Sequence, residues 1–533
     1  MKRLIYEFLC NEYYLIMKAI LMFLAVSFFL SFNQISLLFK KVNKKTWFIL
    51  AFILLIGFGM RMWFVPHTHH VYFDEFEHIN IAENMSYGGK FAVCAKGTDK
   101  LCESYQFPNW PCGYHTILAL VFSVFGNSEA AAYNLSAVIG TISILILFLM
   151  AYLLFNSQGI ALGCAFLFSL IPAQLKYSGA SSMDITSLFF VLLSFVSLLA
   201  YLRISDIKSL LLFIAVLAFT VYVRPENGIF PLFMLCFSII FVNKGSFKDA
   251  KKIYMHSLLF STLLFLLLLP YFMHIYFGIY LMPPPGWSEG WGERLFNLRE
   301  HLFGNIKFWF GNFHPLSFTV LAVFGFLRLM KDGKKKALFF LAWFSVFLLF
   351  YSFYHIGDFS GGADGDRYTL VLYVSIVLYA GFGLFHVFKL VKFNQAVMFI
   401  IPALIFFEIF SPLKLGLQRT LNRDIYKEYR FILGNKDLIA DDTYVITYNA
   451  AAIISSIHKK AVTPYVFNLM AEPPEEAVLF KDFWWYERIF DSRLLESRLK
   501  EKYKFTPLSE ENTQDDKRFY FFKLKLKESP KTP

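Results

Sequence analysis

Long apolar segments recur along almost the whole chain and are separated by short polar loops. Each segment is close to the roughly 20 residues that an α-helix needs to cross a bilayer. An extra apolar stretch, about 14–32, precedes them and is either an additional span, a signal anchor or an interfacial helix. We therefore predict a polytopic α-helical membrane protein with eleven core spans, at about 47–64, 131–155, 158–175, 185–202, 208–222, 228–242, 254–272, 315–330, 337–354, 368–386 and 394–411.

Lysine and arginine are concentrated in alternate loops, which all fall on one side when eleven spans are counted. Basic loops mark the cytoplasmic side of a membrane protein. The opposite, outer side then holds the loop 65–130, the loop 273–314 and the region after 411. The clusters contain Lys40, Lys41, Lys44, Lys45, Arg203, Lys208, Lys244, Lys248, Lys251, Lys252, Lys331, Lys334, Lys335, Lys336, Lys389 and Lys392.

Composition agrees with this interpretation, since 57% of the 533 residues are hydrophobic and 66 are Phe. The net charge of +12 is assigned to loops that face anionic lipid and not to nucleic-acid binding. The protein is therefore predicted to be an integral multi-pass protein of the cell membrane, in contact with membrane lipids.

The region 412–533 has a different character, because it holds 39 of the chain's 90 charged residues. Residues 443–448 and 519–524 resemble strands, and residues 484–504 have helical apolar spacing. We predict three parts: an N-terminal extension (1–45), a transmembrane domain (46–411) and a small soluble extracytoplasmic α/β domain (412–533).

The outer loop 65–130 contains three of the six cysteines, Cys94, Cys102 and Cys112. If this loop lies on the outer side, the three cysteines allow one disulfide, with one thiol left over; the sequence does not decide whether it forms. The loop offers too few ligands at close spacing to favour zinc.

The same loop carries Asp74 and Glu75, with Glu77 and His78 close behind. Residues 73–86 have helical character, with Phe76, Ile79 and Ala82 on an apolar face and Glu83 and Asn84 expected toward water. At the bilayer boundary the pKa of a carboxylate rises, which suits Asp74 as a general base. The alternative is that Asp74 only caps the helix.

The following apolar run, 115–126, is too short to span and is predicted to be a surface helix.

Further charged residues map to the same face, at the outer ends of later spans. They are Lys176, Asp184, Arg224 and Arg367. Arginine is disfavoured on the outer side, so each needs an anionic partner. That partner is either a neighbouring acid, Glu226 for Arg224 and Asp366 for Arg367, or a lipid phosphate, which a guanidinium binds with two hydrogen bonds.

No phosphate-binding Gly-x-x-x-x-Gly-Lys loop, Rossmann glycine pattern or His-Glu-x-x-His is present. Use of a cytosolic nucleotide therefore has no support, and a donor carried by a lipid would explain its absence. No cofactor is predicted, and a divalent metal stays open.

These residues in this order resemble the GT-C superfamily of membrane glycosyltransferases, over about 45–390. The branch of protein O-mannosyltransferases and aminoarabinose transferases is most similar. The matching features are Asp74-Glu75 with Ala82, the proline-rich 108–111, Val124-Phe125-Gly126, Ser178 to Asp184, Arg224-Pro225-Glu226 and Arg367-Tyr368. Asn109-Trp110-Pro111 departs from the aminoarabinose branch, so the acceptor of that branch is not assumed.

The resemblance implies an inverting transfer of a sugar from a polyprenyl phosphate to an acceptor hydroxyl on a lipid, protein or glycan. It implies Asp74 and Glu75 as catalytic residues, although physical reasoning assigns no role to Glu75. It also implies that Arg224 and Arg367, with Lys176, hold the phosphate, and that Asp184 and His78 bind substrate.

Two other classes of function compete with the transferase. A transporter or flippase of a lipid-linked glycan would place its functional charges near the bilayer midplane and often contains inverted repeats. A scaffold that only displays the C-terminal domain would leave the outer arginines without a purpose.

Overall fold

The computed structural model describes residues 2–71, 73–98, 100–108, 110–241, 250–276, 291–353, 357–360, 364–512 and 518–527. A helix lies at each of the eleven predicted spans, so the predicted α-helical membrane class is confirmed. Within the described residues, eight helices are long and apolar enough to cross a bilayer, or nine if α7 and α8, bent by 59°, form one broken span. The helices are α1 (Lys2–Asn11), α2 (Tyr13–Phe39), α3 (Lys44–Gly59, continued by a π turn Met60–Phe64), α4 (Asp74–Gly88), α5 (Gly113–Phe125), α6 (Glu129–Phe155), α7 (Gln158–Ser169), α8 (Pro172–Ser178), α9 (Met183–Ile204), α10 (Ile207–Val221), α11 (Phe230–Phe241), α12 (Ala250–Tyr276), α13 (Trp291–Phe308), α14 (Leu316–Asp332), α15 (Lys334–Ser352), α16 (Leu370–Leu390), α17 (Gln395–Leu421), α18 (Asp424–Gly434), α19 (Ala450–Ile457), α20 (Pro464–Asn468), α21 (Phe483–Glu487) and α22 (Ile489–Lys502).

The stretch at 14–32 belongs to α2, one of the eight candidate spans. At its start, the Tyr13 ring packs on Phe91 of the loop 65–130, with ring centres 5.3 Å apart. Near its other end, the Ser31 hydroxyl donates to the Lys208 carbonyl at 2.8 Å. The helix therefore runs the full length of the bundle, and the N-terminus lies at the end that carries loop 65–130.

Three of the predicted basic loops, at 40–45, 203–208 and 331–336, meet at the opposite end of the bundle. Lys244 and Lys248 of another predicted basic loop lie outside the described residues. Gln158 donates to the Lys41 carbonyl at 3.2 Å, and Lys336 packs over the Phe155 ring at 5.6 Å. Together with the contact between Ser31 and Lys208, these bonds bring loops from four parts of the chain to one end.

Glycines allow α16 to lie close to its neighbours. A Cβ atom on Gly381 would stand 2.7 Å from the Cys164 nitrogen of α7, and one on Gly383 would stand 2.3 Å from the Leu321 carbonyl oxygen of α14. Small residues at such contacts bring helix backbones together, which is how apolar helices associate inside a membrane. The tight packing fixes α16, which directly follows the short 3₁₀ helix that carries Arg367, against α7 and α14.

The strands form one seven-stranded mixed sheet in the order β2-β1-β4-β3-β5-β7-β6. Strands are found at both predicted runs, 443–448 and 519–524. The first loop supplies β1 and β2 to this sheet, so the sheet extends beyond the C-terminal region, and α17 likewise continues to Leu421. The strands are β1 (Val93–Gly97), β2 (Cys102–Gln106), β3 (Tyr444–Ile446), β4 (Ala461–Val462), β5 (Glu476–Lys481), β6 (Tyr503–Asn512) and β7 (Arg518–Leu526).

The first long loop, 65–130, is folded tightly against the C-terminal region. A disulfide joins Cys94 to Cys102 across β1 and β2, and Cys112 is a buried free cysteine, so the single bridge that the sequence allowed is present. The prediction that Glu83 and Asn84 face water is wrong: both are buried. The Ser455 hydroxyl of α19 donates to Glu83 at 2.8 Å, because the C-terminal region covers this side of α4.

Candidate active site

Asp74 begins α4 and points toward the start of α16. Its carboxylate accepts a hydrogen bond from Arg367 at 3.0 Å, and 18% of its side chain is exposed. Phe73 occupies the N-cap position, so Asp74 is not the capping residue. Burial raises the pKa of Asp74, and the positive charge of Arg367 opposes that rise. The direction agrees with the sequence-based expectation for a base at the boundary.

Glu75 points the opposite way and is fully buried. Its carboxylate accepts backbone N–H bonds from His70 and Val71, both at 2.6 Å, and from Ser181 at 2.7 Å. It also lies 3.6 Å from the ring of His69. The side chain ties the first loop to the turn before α9, which is a structural role that the sequence did not reveal.

His69 connects this anchor to α6 and to the C-terminal region. Its ring lies 3.3 Å from Glu129, and that carboxylate also accepts hydrogen bonds from Tyr429 and Ser456. Burial lowers the pKa of His69, but bonding to Glu129 and Glu75 outweighs it and raises the pKa to about 9. At neutral pH the ring is therefore a cation held between two carboxylates.

Arg224 belongs to the same cluster of charged side chains as Asp74 and Arg367. It forms ion pairs with Asp184 and with Glu226, the latter at 2.5 Å. Both guanidinium groups lie over the Tyr368 ring, Arg224 at 5.7 Å and Arg367 at 5.0 Å. The pairing of Arg224 with Glu226, one of the two alternatives that the sequence left open, is therefore found, with Asp184 as an additional partner.

The pairing of Arg367 with Asp366, one of the two alternatives that the sequence left open, is not found. Asp366 instead accepts a hydrogen bond from Lys176 at 2.9 Å and another from Tyr177. Successive side chains of the short 3₁₀ helix Gly365–Thr369 point in different directions, so Arg367 reaches Asp74 while Asp366 reaches α8. Asp364, 4.0 Å from Arg367, also pairs with Arg423 at 3.1 Å.

Two donors in this cluster have no partner in the part of the chain that the structure describes. They are the buried Nε–H groups of Arg224 and Arg367. Asp184, Arg224 and Arg367 line a narrow cavity of about 20 Å³, together with the polar side chains of Ser187, Glu226, Asn227 and Tyr351. The rest of the lining is apolar and consists of Leu188, Val191, Phe230, Phe347, Leu370 and Val371.

His78 lies outside this charged cluster. Its ring is buried and is 3.0 Å from the ring nitrogen of His115, among the rings of Trp110 and Tyr114. Burial lowers the pKa of His78 well below its usual range, so the ring is neutral. Thus Asp74, Lys176, Asp184, Arg224 and Arg367 are brought together, whereas Glu75 and His78 support the surrounding structure.

Three residues at the site were not named from the sequence: Asp364 and Arg423, which pair with each other, and Tyr351, which lines the cavity. Their contacts join positions far apart in the chain, so no local pattern pointed to them. Glu226 and Asp366 were named only as possible partners of the arginines, and Tyr368 only as the neighbour of Arg367. Among the described residues no group of three His, Cys, Asp or Glu side chains is arranged to hold a metal ion.

Residues 110–274 match the protein family described as "Dolichyl-phosphate-mannose-protein mannosyltransferase". A comparison with curated proteins found no match. Among solved structures, ArnT from Cupriavidus metallidurans is similar, with a TM-score of 0.56 and 12% identity over 89% of this chain and 97% of that chain.

The archaeal oligosaccharyltransferase AglB from Archaeoglobus fulgidus, in a complex with an inhibitory peptide and a dolichol-phosphate, is also similar. Its TM-score is 0.54, with 13% identity over 90% of this chain and 74% of that chain. ArnT bound to undecaprenyl phosphate gives a TM-score of 0.54 and 11% identity, over 90% of this chain and 97% of that chain. These findings confirm the GT-C fold and the resemblance to the O-mannosyltransferase and ArnT type.

Proposed function

We propose that this protein is a glycosyltransferase that moves a sugar from a polyprenyl-phosphate carrier to an acceptor hydroxyl. The observation that carries the proposal is the pair of buried Nε–H groups of Arg224 and Arg367, which have no partner among the described residues, with Asp74 bonded to Arg367 and apolar side chains beside them. A lipid phosphate has the matching division into an anionic head and an apolar chain. The structures of AglB with dolichol-phosphate and of ArnT with undecaprenyl phosphate support this class of carrier.

In the proposed reaction, Asp74 accepts the proton of the acceptor hydroxyl. The acceptor oxygen forms a bond to the anomeric carbon while the bond from that carbon to the phosphate oxygen breaks. The electron pair of the broken bond stays on the lipid phosphate. Because this is a single displacement, the configuration at the anomeric carbon inverts.

Arg224 and Arg367 are assigned to the leaving phosphate. Their Nε–H groups are buried and unpartnered within the described residues, so each has a donor available for a phosphate oxygen. Charge that develops on the leaving group is stabilised by such preorganised donors. Lys176, held on Asp366, adds positive charge to the same region.

Replacing either arginine by lysine tests this assignment, because lysine keeps the charge but lacks the fork of N–H donors. For both Arg224→Lys and Arg367→Lys we expect the affinity for farnesyl phosphate to fall by about tenfold or more, as lost charge-assisted hydrogen bonds predict. The measurement is binding to the purified full chain in detergent. Arg328→Lys is the control, since Arg328 pairs with Asp332 on α14, far from the cavity. Equal affinities in all four proteins would remove the phosphate role.

The apolar chain of the donor is assigned to a groove between α11 and α15. Phe230 and Phe347 in the cavity wall are stacked 5.4 Å apart, and Phe233 also stacks on Phe347. Beyond this stack lies a groove of about 710 Å³, lined by Phe233, Leu338, Ala342, Val346 and other apolar side chains. The cavity and the groove therefore lie next to each other along α11 and α15.

Filling the groove should weaken the binding of a carrier with a long lipid chain and leave the binding of phosphate alone unchanged. For Ala342→Trp we expect undecaprenyl phosphate to bind about tenfold more weakly, because a blocked groove forfeits burial of several CH₂ groups. Inorganic phosphate should bind as it does to the unaltered protein. The matched control is Val323→Trp, on the exposed side of α14. If Ala342→Trp bound undecaprenyl phosphate as tightly as the unaltered protein does, the lipid chain would have to lie elsewhere.

The site is proposed to face the extracytoplasmic side. The basic loops that meet around Ser31 and Lys208 lie at the end of the bundle opposite Asp74, and basic loops favour the cytoplasm. Protease accessibility of a C-terminal tag in intact cells tests this orientation.

A further inference from the structure

The first turn of α4 presents a second carboxylate beside Asp74. Glu77 follows three positions later, on the same face of the helix. Along α4, Asp74 and Glu77 are partly exposed, whereas Glu75, Phe76 and every residue of 78–85 are buried. In the first three turns of α4, these two acids are therefore the only side chains that stay partly exposed.

The two acids have different partners. Asp74 is bound by Arg367, whereas the only described hydrogen bond to Glu77 comes from Trp110, whose indole N–H donates to it at 3.3 Å. No cation pairs with Glu77 in the described part of the chain. Its remaining lone pairs are therefore available to a ligand, in contrast to the buried Glu75, whose oxygens are taken by three backbone N–H groups.

Trp110 gives this acid an aromatic neighbour. Its indole is partly exposed and is held edge-on against the His78 ring at 5.4 Å. A sugar ring has hydroxyl groups at its edge, which donate to a carboxylate, and C–H faces, which pack on an aromatic ring. A carboxylate and an indole side by side therefore match the chemistry of a pyranose.

We propose that Glu77 and Trp110 form a subsite for a sugar ring of one substrate, with Glu77 accepting a ring hydroxyl and Trp110 packing on the ring. The inference rests on the proposed glycosyl transfer and names the moiety recognised beside Asp74. The ring belongs either to the donor sugar or to a glycan acceptor. If Glu77 served only to hold the segment around Trp110, its substitution would not alter sugar recognition.

The experiment compares three probes on the purified full chain in detergent: farnesyl phosphate, farnesyl phosphomannose and farnesyl phosphoglucose. Glu77→Gln and Trp110→Ala are expected to weaken one or both sugar-bearing probes by about tenfold, the effect of a lost charge-assisted bond or ring contact. Farnesyl phosphate should bind as to the unaltered protein. Trp110→Phe keeps a ring and should lose no more than about threefold of the affinity. Glu103→Gln, in the same loop and paired with Lys96, is the control.

A second arm identifies an acceptor. If all three probes bind Glu77→Gln normally, transfer to cell-envelope glycans, measured by mass spectrometry in cells carrying the variant, should still fall about tenfold. Unchanged probe binding together with unchanged transfer overturns the subsite, as does an equal loss for all three probes, which would indicate damage to the phosphate end. Failure of farnesyl phosphate to bind the unaltered protein would instead overturn the proposed function.

Discussion

Replacing Asp74 by Asn is expected to lower the rate of glycosyl transfer by about a thousandfold while donor binding is retained. A positioned general base contributes roughly 10²–10⁴ in rate, and asparagine has the shape of aspartate without its basicity. Arg367 loses one anionic partner but keeps Asp364 and the Tyr368 ring. Affinity for farnesyl phosphate should therefore stay equal or increase, so that the change appears in kcat and not in binding.

The control for this substitution is Asp364→Asn, because Asp364 also contacts Arg367 but does not lie on α4. Loss of a partly exposed ion pair should change transfer by about fivefold or less. If Asp364→Asn were as inactive as Asp74→Asn, the role of Asp74 would be to balance the charge of Arg367.

The pH dependence gives an independent test of the base. Because burial raises the pKa of Asp74, transfer by the unaltered protein should fall as the pH drops through a value above the usual 4 or so for aspartate. The residual activity of Asp74→Asn should lack that slope. The measurement is the transfer rate against pH at saturating donor.

Replacing Glu75 by Gln is expected to destabilise the fold by about 3 kcal/mol. The carboxylate accepts bonds from His70, Val71 and Ser181 while buried. An amide offers one acceptor oxygen, and its NH₂ group would face an N–H donor, which leaves buried donors unsatisfied. The charge that holds the His69 ring also disappears, so the first loop should separate from the start of α9.

Thermal unfolding of the purified protein in detergent measures this effect. Glu77→Gln, two residues along the same helix, is the matched control and should change stability by no more than about 0.5 kcal/mol, since Glu77 is partly exposed and accepts one long bond. The two variants should thus separate the effects: Glu75→Gln loses stability, and Glu77→Gln loses sugar recognition. A Glu75→Gln protein as stable as the unaltered one would contradict the assignment of Glu75 as an anchor.

The α-helical membrane class, the positions of the spans and the strands at 443–448 and 519–524 followed from local patterns. A membrane span can be recognised in the sequence because a helix needs about 20 consecutive apolar residues to cross the bilayer and forms its backbone hydrogen bonds within that one segment. The ordered set of Asp74, Asp184, Arg224 and Arg367 was likewise visible, since charged residues at span ends are rare and need a reason. The sequence alone therefore determined the class of protein, the end of the bundle that carries the site and four residues that the fold brings together.

Only the tertiary structure decided which charged side chains form ion pairs with one another. Arg367 and Asp366 are adjacent in the chain, yet they reach Asp74 and Lys176, because one turn of 3₁₀ helix directs them apart. Glu75 and Glu77 are both acids of one predicted helix, but Glu75 is buried against the first loop and the turn before α9, whereas Glu77 stays partly exposed. Spans are set by local hydrophobicity, whereas ion pairs and burial depend on contacts between residues hundreds of positions apart, which no local pattern encodes.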